Sequence, residues 1–510
     1  MRTLTAIFFL ALFLLLRPSA LGSGGFWYSD DDQDYFAHAS SIAYGQFPHY
    51  EKEFFNNKGL PLAAVGPGIL AAPFVFVFSL IDRITQAPVI QARTRETILH
   101  SWSLYGFMVA TIFYFWLGCA LLHQGLRRHF SSAAATWAVI LMILCQGLPL
   151  FAFRRPVFSH IFEFFLQSSM VCLFLMSTRK NWTWKNFSLS NNMAIGLLCG
   201  LIVLVRYNNL LIALAWPIIL ARASWPDLRN HKFWICAGTM FTTAAAMILF
   251  FKIWPGTLVP EVPSYLTNSI VIQKLGHIQS PLFYTQRTIT ILIGLDWGLI
   301  FSAPFACIAL VTMIKPRSSI DKSFLWLLAP LIVNVYCVLN WGTQGGWYGY
   351  RYLIASLFPL LVYPFARQLE NMKKLSQRSW AHGIIPAIAS LPLLSMICFE
   401  ASGGHFNLSV QGDLGWSNVS FQHQVWKTFL FKPGTMLEII LAAGPTYIAY
   451  LAQHILFWLH LSVKPYFDKY PDLEPVTLIK TIFLYALPFL LHFIWRRVQQ
   501  PGAKELQSNG

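Results

Sequence analysis

Apolar runs of about twenty residues recur from one end of the chain to the other, and that is the length a helix needs to cross a hydrocarbon core. No long polar stretch separates them, so the sequence describes one integral-membrane unit with elaborated loops. Composition agrees: 56% of the 510 residues are hydrophobic and only 11% are charged, against roughly 25% charged in soluble domains. Backbone surrounded by lipid must satisfy its own hydrogen bonds, and a helix does so within one segment. An all-α polytopic membrane protein is the fold class expected.

The chain carries 37 Lys and Arg against 21 Asp and Glu. In a membrane protein such an excess sets topology rather than binding nucleic acid, and its distribution is informative. With Met1 inside and the first apolar stretch kept as an anchor, residues 22–98 form an external loop. Five later connections then hold basic clusters: Arg127 and Arg128; Arg179, Lys180 and Lys185; Arg222, Arg229 and Lys232; Lys315, Arg317 and Lys322; Arg367, Lys373, Lys374 and Arg378. These mark the cytoplasmic face. Spans follow near 4–20, 99–122, 137–153, 157–177, 193–206, 209–221, 233–253, 289–314, 323–340, 352–366, 383–400, 435–461 and 476–495. An odd number of crossings leaves Arg496 and Arg497 outside, against the rule. The apolar stretch 61–81 is read as a helix lying at the outer interface or dipping into the protein, because a full crossing would move every later basic loop outside. All eight cysteines lie in apolar segments and read as small core residues.

The unusual polar residues gather on the external face. Residues 30–34, "DDDQD", put four carboxylates into five positions. "NNKGLP" at 56–61, "RRPVFSH" at 154–160, "RYNN" at 206–209, "NWGTQGGWYGYRY" at 340–352 and the loop 401–434 share that face. Taken singly, a Trp or Tyr there suits an interfacial belt and a basic residue suits snorkelling. His160, between Ser159 and Glu163, suits a local hydrogen-bonded pair. Four clustered carboxylates are not explained by solvation alone. A divalent metal at this cluster is not favoured, since the loop lacks the Gly and terminal Glu of a calcium loop. Of four Asn-X-Ser/Thr triplets, two fall in a cytoplasmic loop and match by chance.

These motifs, in their order, resemble the GT-C superfamily of integral-membrane glycosyltransferases, in particular the branch of protein O-mannosyltransferases and aminoarabinose transferases. "SDDDQDYFAHASSIA" is similar to that family's first external loop, with Asp31, Asp32, Tyr35 and Ala39 at its spacing. "NKGLPLAAVGPGILAAPF" is similar to its Lys-Pro-Pro-Leu stretch, with Lys58 on the lysine and Gly59 and Leu60 departing from the prolines. "GLLCGLIVLVRYNN" is similar to its Gly-rich half-span ending in arginine, "GLDWGLIFSAPF" to a Gly-and-Pro span entry, and "GGWYGYRY" to a Gly-rich loop ending in arginine.

The resemblance covers residues 1–370 as a catalytic module and leaves 371–510 as a C-terminal transmembrane region. It implies a GT-C-type bundle of about 11–13 transmembrane helices, with amphipathic helices in the first external loop. The implied activity moves a sugar from a polyprenyl-phosphate donor to a glycan, lipid or protein acceptor on the non-cytoplasmic side, with a bacterial inner membrane as the expected location. Asp31, then Asp32, would be the general base, because an alcohol nucleophile must lose its proton as the new bond forms. Lys58, Arg206 and Arg351 would face the carrier phosphate, whose charge grows as it leaves. Tyr35, Arg154, Arg155, His160, Trp347 and Tyr350 are the remaining substrate-binding candidates. The alternative is a transporter or flippase for a lipid-linked or amphipathic substrate, which would share the composition and the Gly-interrupted helices.

Overall fold

The computed structural model describes residues 31–47, 50, 61, 63–85, 101–179, 183–221, 225–252, 281–294, 298–313, 319–340, 351–373, 381–401, 421–434 and 475–499. Among the described residues all regular structure is helical. The helices are α1 (Asp31–Ala43), α2 (Gly66–Ile84), α3 (Trp102–Leu126), α4 (Ser132–Val139), α5 (His160–Arg179), α6 (Leu189–Val205), α7 (Leu210–Ala221) and α8 (His231–Lys252). They are followed by α9 (Pro281–Ile293), α10 (Leu299–Ser302), α11 (Pro304–Met313), α12 (Ser319–Asn340), α13 (Arg351–Lys373), α14 (Ala381–Ala401), α15 (Phe421–Phe431) and α16 (Pro475–Gln499). Gly66–Ile84, Trp102–Leu126, His160–Thr178 and His231–Phe251 are long and apolar enough to cross a membrane. The protein is an all-α polytopic membrane protein.

Helix α5 is the hub, packed by α3, α6, α7 and α13, with Phe162, Phe164 and Phe174 buried along it. Lipid tails are as apolar as these side chains, so helices associate in a membrane through close packing and polar contacts rather than by escaping water. One such polar contact joins α5 to α7, where Trp216 Nε1 donates to Gln167 Oε1 at 3.0 Å.

Contacts at the helix ends give the bundle two distinct faces. At one of them Gly125 of α3 packs on Leu175 and Cys172 of α5, and His129 Nε2 donates to the Leu175 carbonyl at 2.9 Å. Glu370 of α13 accepts the N–H of Ser131, the cap of α4, at 3.2 Å. Arg127 and Arg128 stand exposed at the end of α3. We call this the basic end. Toward the opposite end lie the start of α3, the start of α5, the end of α6 and the start of α13.

Helix α16 runs from that opposite end toward the basic end. Lys480 Nζ lies 3.9 Å over the Trp102 ring near one terminus, and Trp495 meets Trp116 of α3 at 5.9 Å farther along. Arg497 therefore sits toward the basic end. The expected crossing order left Arg496 and Arg497 outside, away from the basic clusters; the packing of α16 instead puts Arg497 toward the end that carries Arg127 and Arg128.

Helix α2 lies along the first half of α3. Tyr114 donates to the Leu70 carbonyl at 3.2 Å, while Asp82 accepts the N–H groups of Trp102 and Ser103, each at 2.8 Å. Asp82 thus satisfies donors that the first turn of α3 leaves open and places negative charge at its positive dipole end. Gly66, at the other terminus of α2, abuts the backbone of Leu204 and Val205, with no room for a Cβ. Helix α2 thus runs antiparallel to α3, from the end of α6 to the start of α3, and its length and composition would permit a crossing.

Two expected spans are broken. The stretch near 137–153 continues α4 as a π-helix over Ile140–Leu144, turns at Gly147 and resumes as a second π-helix over Leu150–Arg154. Gly147 adopts φ +82°, which glycine takes without strain, and Pro149 follows with no N–H to give. Gln146 repairs the gap: its Nε2 donates to the Leu141 carbonyl at 2.8 Å, and its Oε1 accepts the Ala306 N–H at 3.3 Å. Ala306 belongs to the second broken span, where α10 stops at Ala303 and Pro304 opens α11.

Candidate functional site

The face opposite the basic end collects the polar motifs. Helix α1 carries the acidic run and buries Asp32 and every residue from Tyr35 to Ser41, so that stretch is enclosed on all sides. Asp32 is only 2% exposed. Gly68 of α2 lies against His38 and Ala39 so closely that a Cβ would clash with both, so α1 and α2 touch backbone to backbone.

The segment ahead of α2 is clasped to α1 by side chains. Asp34 Oδ2 accepts the Ala63 N–H at 3.0 Å. His38 bridges the Ala63 carbonyl, 3.1 Å from Nε2, and the Tyr50 hydroxyl, 2.8 Å from Nδ1. A carbonyl only accepts, so Nε2 carries the proton and Nδ1 accepts from the phenol. Burial pushes the Tyr50 phenol well above its ordinary pKa, which keeps that proton in place. Asp34 is half-buried and structural. An N–H at Ala63 needs an acceptor, and α1 supplies one.

Arg206 follows α6 in an extended conformation, φ −155° and ψ 118°, before a 3-10 turn over Tyr207–Asn209. That break turns its guanidinium toward α5. Arg206 Nη1 donates to Glu163 Oε2 at 3.0 Å, with side-chain exposures of 10% and 1%. The other oxygen of Glu163 accepts Asn209 Nδ2 at 2.7 Å and Ser356 Oγ at 3.1 Å. Three helical elements from distant parts of the chain therefore meet on one carboxylate. Removing one member of a buried pair typically costs about 3–5 kcal/mol, because the other is left charged and unpaired.

His160 stands one turn before Glu163 with Nδ1 3.4 Å from Arg206 Nη1, its ring 4.7 Å from Phe151. His160 and Glu163 both meet Arg206 Nη1, and the other oxygen of Glu163 goes to the turn after α6 and to α13. Sequence reasoning saw Glu163 only as a neighbour of His160. The available signal was a lone carboxylate inside an apolar span, which is costly unless something pairs it. Ser356 gave no sequence signal.

The structure thus brings Arg206 and His160 together and buries Asp32, Tyr35 and Arg155. Arg351 opens α13, five residues before Ser356, so its backbone lies at the same end. The side chains of Asp31, Arg154 and Arg351 lie outside the described residues, as do Lys58, Trp347 and Tyr350. Among the described residues no three of His, Cys, Asp and Glu gather as metal ligands.

No family model and no curated protein sequence matches the chain. Distant likenesses exist among solved structures. The Archaeoglobus fulgidus oligosaccharyltransferase, complexed with zinc and sulfate, is similar at 14% identity and a TM-score of 0.40, over 83% of this chain and 57% of that one. ArnT from Cupriavidus metallidurans in the apo state is similar at 14% identity and a TM-score of 0.44, over 96% of this chain and 74% of that one. The archaeal oligosaccharyltransferase AglB from Archaeoglobus fulgidus, in complex with an inhibitory peptide and a dolichol-phosphate, is similar at 15% identity and a TM-score of 0.32, over 92% of this chain and 60% of that one. The chain spans little more than half the length of the first of these. Likenesses this distant assign neither a family nor an activity.

Proposed function

We propose that the protein is a GT-C-type glycosyltransferase, which moves a sugar from a polyprenyl-phosphate carrier to an acceptor at the face opposite its basic end. One observation carries the reading: segments from three of the motifs that resemble the family converge there. The acidic helix α1 packs on the start of α2, the start of α2 packs on the end of α6, and Arg206 follows directly. By the charge rule the basic end is cytoplasmic and the site faces outward, toward the periplasm if the source is bacterial.

In the proposed reaction an acceptor hydroxyl attacks the anomeric carbon. Its proton passes to a carboxylate of α1, Asp31 first and Asp32 next, while the bond to the carrier oxygen breaks and its electron pair stays on the phosphate. Arg206, with Lys58 and Arg351, would balance the charge that accumulates on that phosphate. The test is to give membranes containing the protein labelled polyprenyl-phosphate sugars and to measure free carrier phosphate together with sugar incorporation. Transfer with release supports the reading.

A specific observation favours a second reading. Two broken spans joined through Gln146 and Ala306 are the kind of discontinuity on which transporters build substrate paths. Saturable movement of the labelled sugar lipid without covalent transfer would select that reading.

A further inference from the structure

Glu163 is placed and solvated unlike a carboxylate that merely balances charge. It is 1% exposed, and each neighbour whose contact with it has been described is a donor: Arg206 Nη1 on one oxygen, Asn209 Nδ2 and Ser356 Oγ on the other. Glutamine has the same shape but only one acceptor oxygen, so its NH2 would face either the guanidinium or the Asn209 amide, donor against donor. The site therefore requires a carboxylate. Arg206, meanwhile, caps α6: its N–H still donates to the Ile202 carbonyl at 3.2 Å, but its own backbone is extended and its side chain leaves the helix. Among the contacts described for its guanidinium, the ion pair with Glu163 at 3.0 Å is the shortest, with His160 Nδ1 at 3.4 Å beside it.

We propose that Glu163 is a positioning residue, which holds the Arg206 guanidinium at the face where α1, α2 and α6 meet so that it is aimed at an anionic group. The part concerning the anion rests on the functional reading above; the positioning of Arg206 does not. Asn209 and Ser356 act one step farther out. Each holds Glu163 by its second oxygen, and Ser356 ties it to α13, the helix that Arg351 opens. The direction of the charge at the site thus depends on a carboxylate buried inside the bundle.

The experiment uses the purified full chain in lipid nanodiscs. Phenylglyoxal, which modifies guanidinium groups, reads the freedom of Arg206 by peptide mass spectrometry, and a polyprenyl monophosphate serves as the binding probe. Modification of Arg206 should be slow in wild type and roughly tenfold faster in Glu163→Gln, and Glu163→Asp, which keeps both oxygens, should recover part of the protection. Loss of a partner that orients a ligand-binding group typically lowers affinity about 10–100-fold, so carrier binding should weaken by that order in Glu163→Gln. In an Arg206→Ala background the same change should have no further effect on binding, because coupled residues are non-additive. If Glu163→Gln does not insert, Ser356→Ala tests the same hold from its other side, with an expected rise of a few-fold in Arg206 modification.

Unchanged modification of Arg206 in both Glu163→Gln and Glu163→Asp overturns the proposal, and, where Glu163→Gln is not recovered, unchanged modification in Ser356→Ala does so. Equal losses of carrier binding with and without Arg206 overturn it as well. Faster modification in Glu163→Gln that the carrier does not suppress in wild type upholds the positioning and removes the carrier phosphate as the anion.

Discussion

Asp34 accepts the backbone N–H of Ala63 at 3.0 Å, across 29 residues of sequence. One carboxylate of the acidic run is thereby committed to holding the loop, which separates its role from that of its neighbours. Asp34→Ala should cost about 1–3 kcal/mol, the usual penalty for a donor left without its acceptor. Thermal unfolding of the purified chain reads it, and an unchanged midpoint would show that the clasp contributes nothing.

Asp31→Asn should abolish transfer while carrier binding stays within a few-fold, since loss of a general base typically costs about 10²–10⁴ in rate. Asp32→Asn is the companion experiment. Near-normal turnover in a properly inserted Asp31→Asn protein would remove Asp31 from the mechanism and leave Asp32 as the base.

Lys58→Ala and Arg206→Ala should both weaken carrier binding, more at low salt than at high. Lys58→Arg should retain part of the activity, because the charge survives with altered geometry. Titration of a polyprenyl phosphate at two salt concentrations is the measurement. Wild-type affinity in both alanine variants would make these residues membrane anchors.

Cysteines introduced at Ser29 and Ser409 should react with an impermeant thiol reagent from outside, whereas those at Ser188 and Ser319 should not. The packing of α16 adds a position: Arg497→Cys should behave like Ser188→Cys. Labelling of Ser29 and Ser188 from the same side would show that α2 traverses the membrane.

Asp82 receives the Trp102 and Ser103 N–H groups and the Ser103 hydroxyl, and Lys480 lies over the Trp102 ring. Asp82→Ala should therefore destabilise the chain by about 1–3 kcal/mol for the orphaned donors. It should also loosen α16, which Tyr105 holds through the Lys480 carbonyl at 2.7 Å. Proteolysis near residue 475, followed in time, should accelerate in this variant; equal rates would separate the two contacts.

Periodic apolar runs made the membrane class legible, and the expected spans near 99–122, 157–177 and 233–253 correspond to α3, α5 and α8. Hydropathy did not reveal the break at Gly147 or the turn at Ala303, because both lie inside stretches that remain apolar while the backbone departs from a regular helix. The site was half legible. Arg206 stood out as a charge between two short spans, but its partner is 43 residues earlier and Ser356 is 193 residues beyond Glu163. Such contacts are set by how helices pack, and no local spacing encodes them. The same holds for Asp34, whose acceptor role exists only once Ala63 has been brought beside α1.

The seat of α2 has a consequence for biosynthesis. When the segment beginning at Gly66 leaves the ribosome, the insertion machinery meets nineteen residues apolar enough to be released into lipid as a span. The surface that receives its first turn, Leu204 and Val205, has not yet been made. The segment must therefore wait in a provisional position and be recruited only after α6 has been synthesised. A larger residue at this seat, for example in Gly66→Leu, would strike the Leu204 and Val205 backbone, and the nascent chain would carry an apolar segment whose first turn has no place to dock.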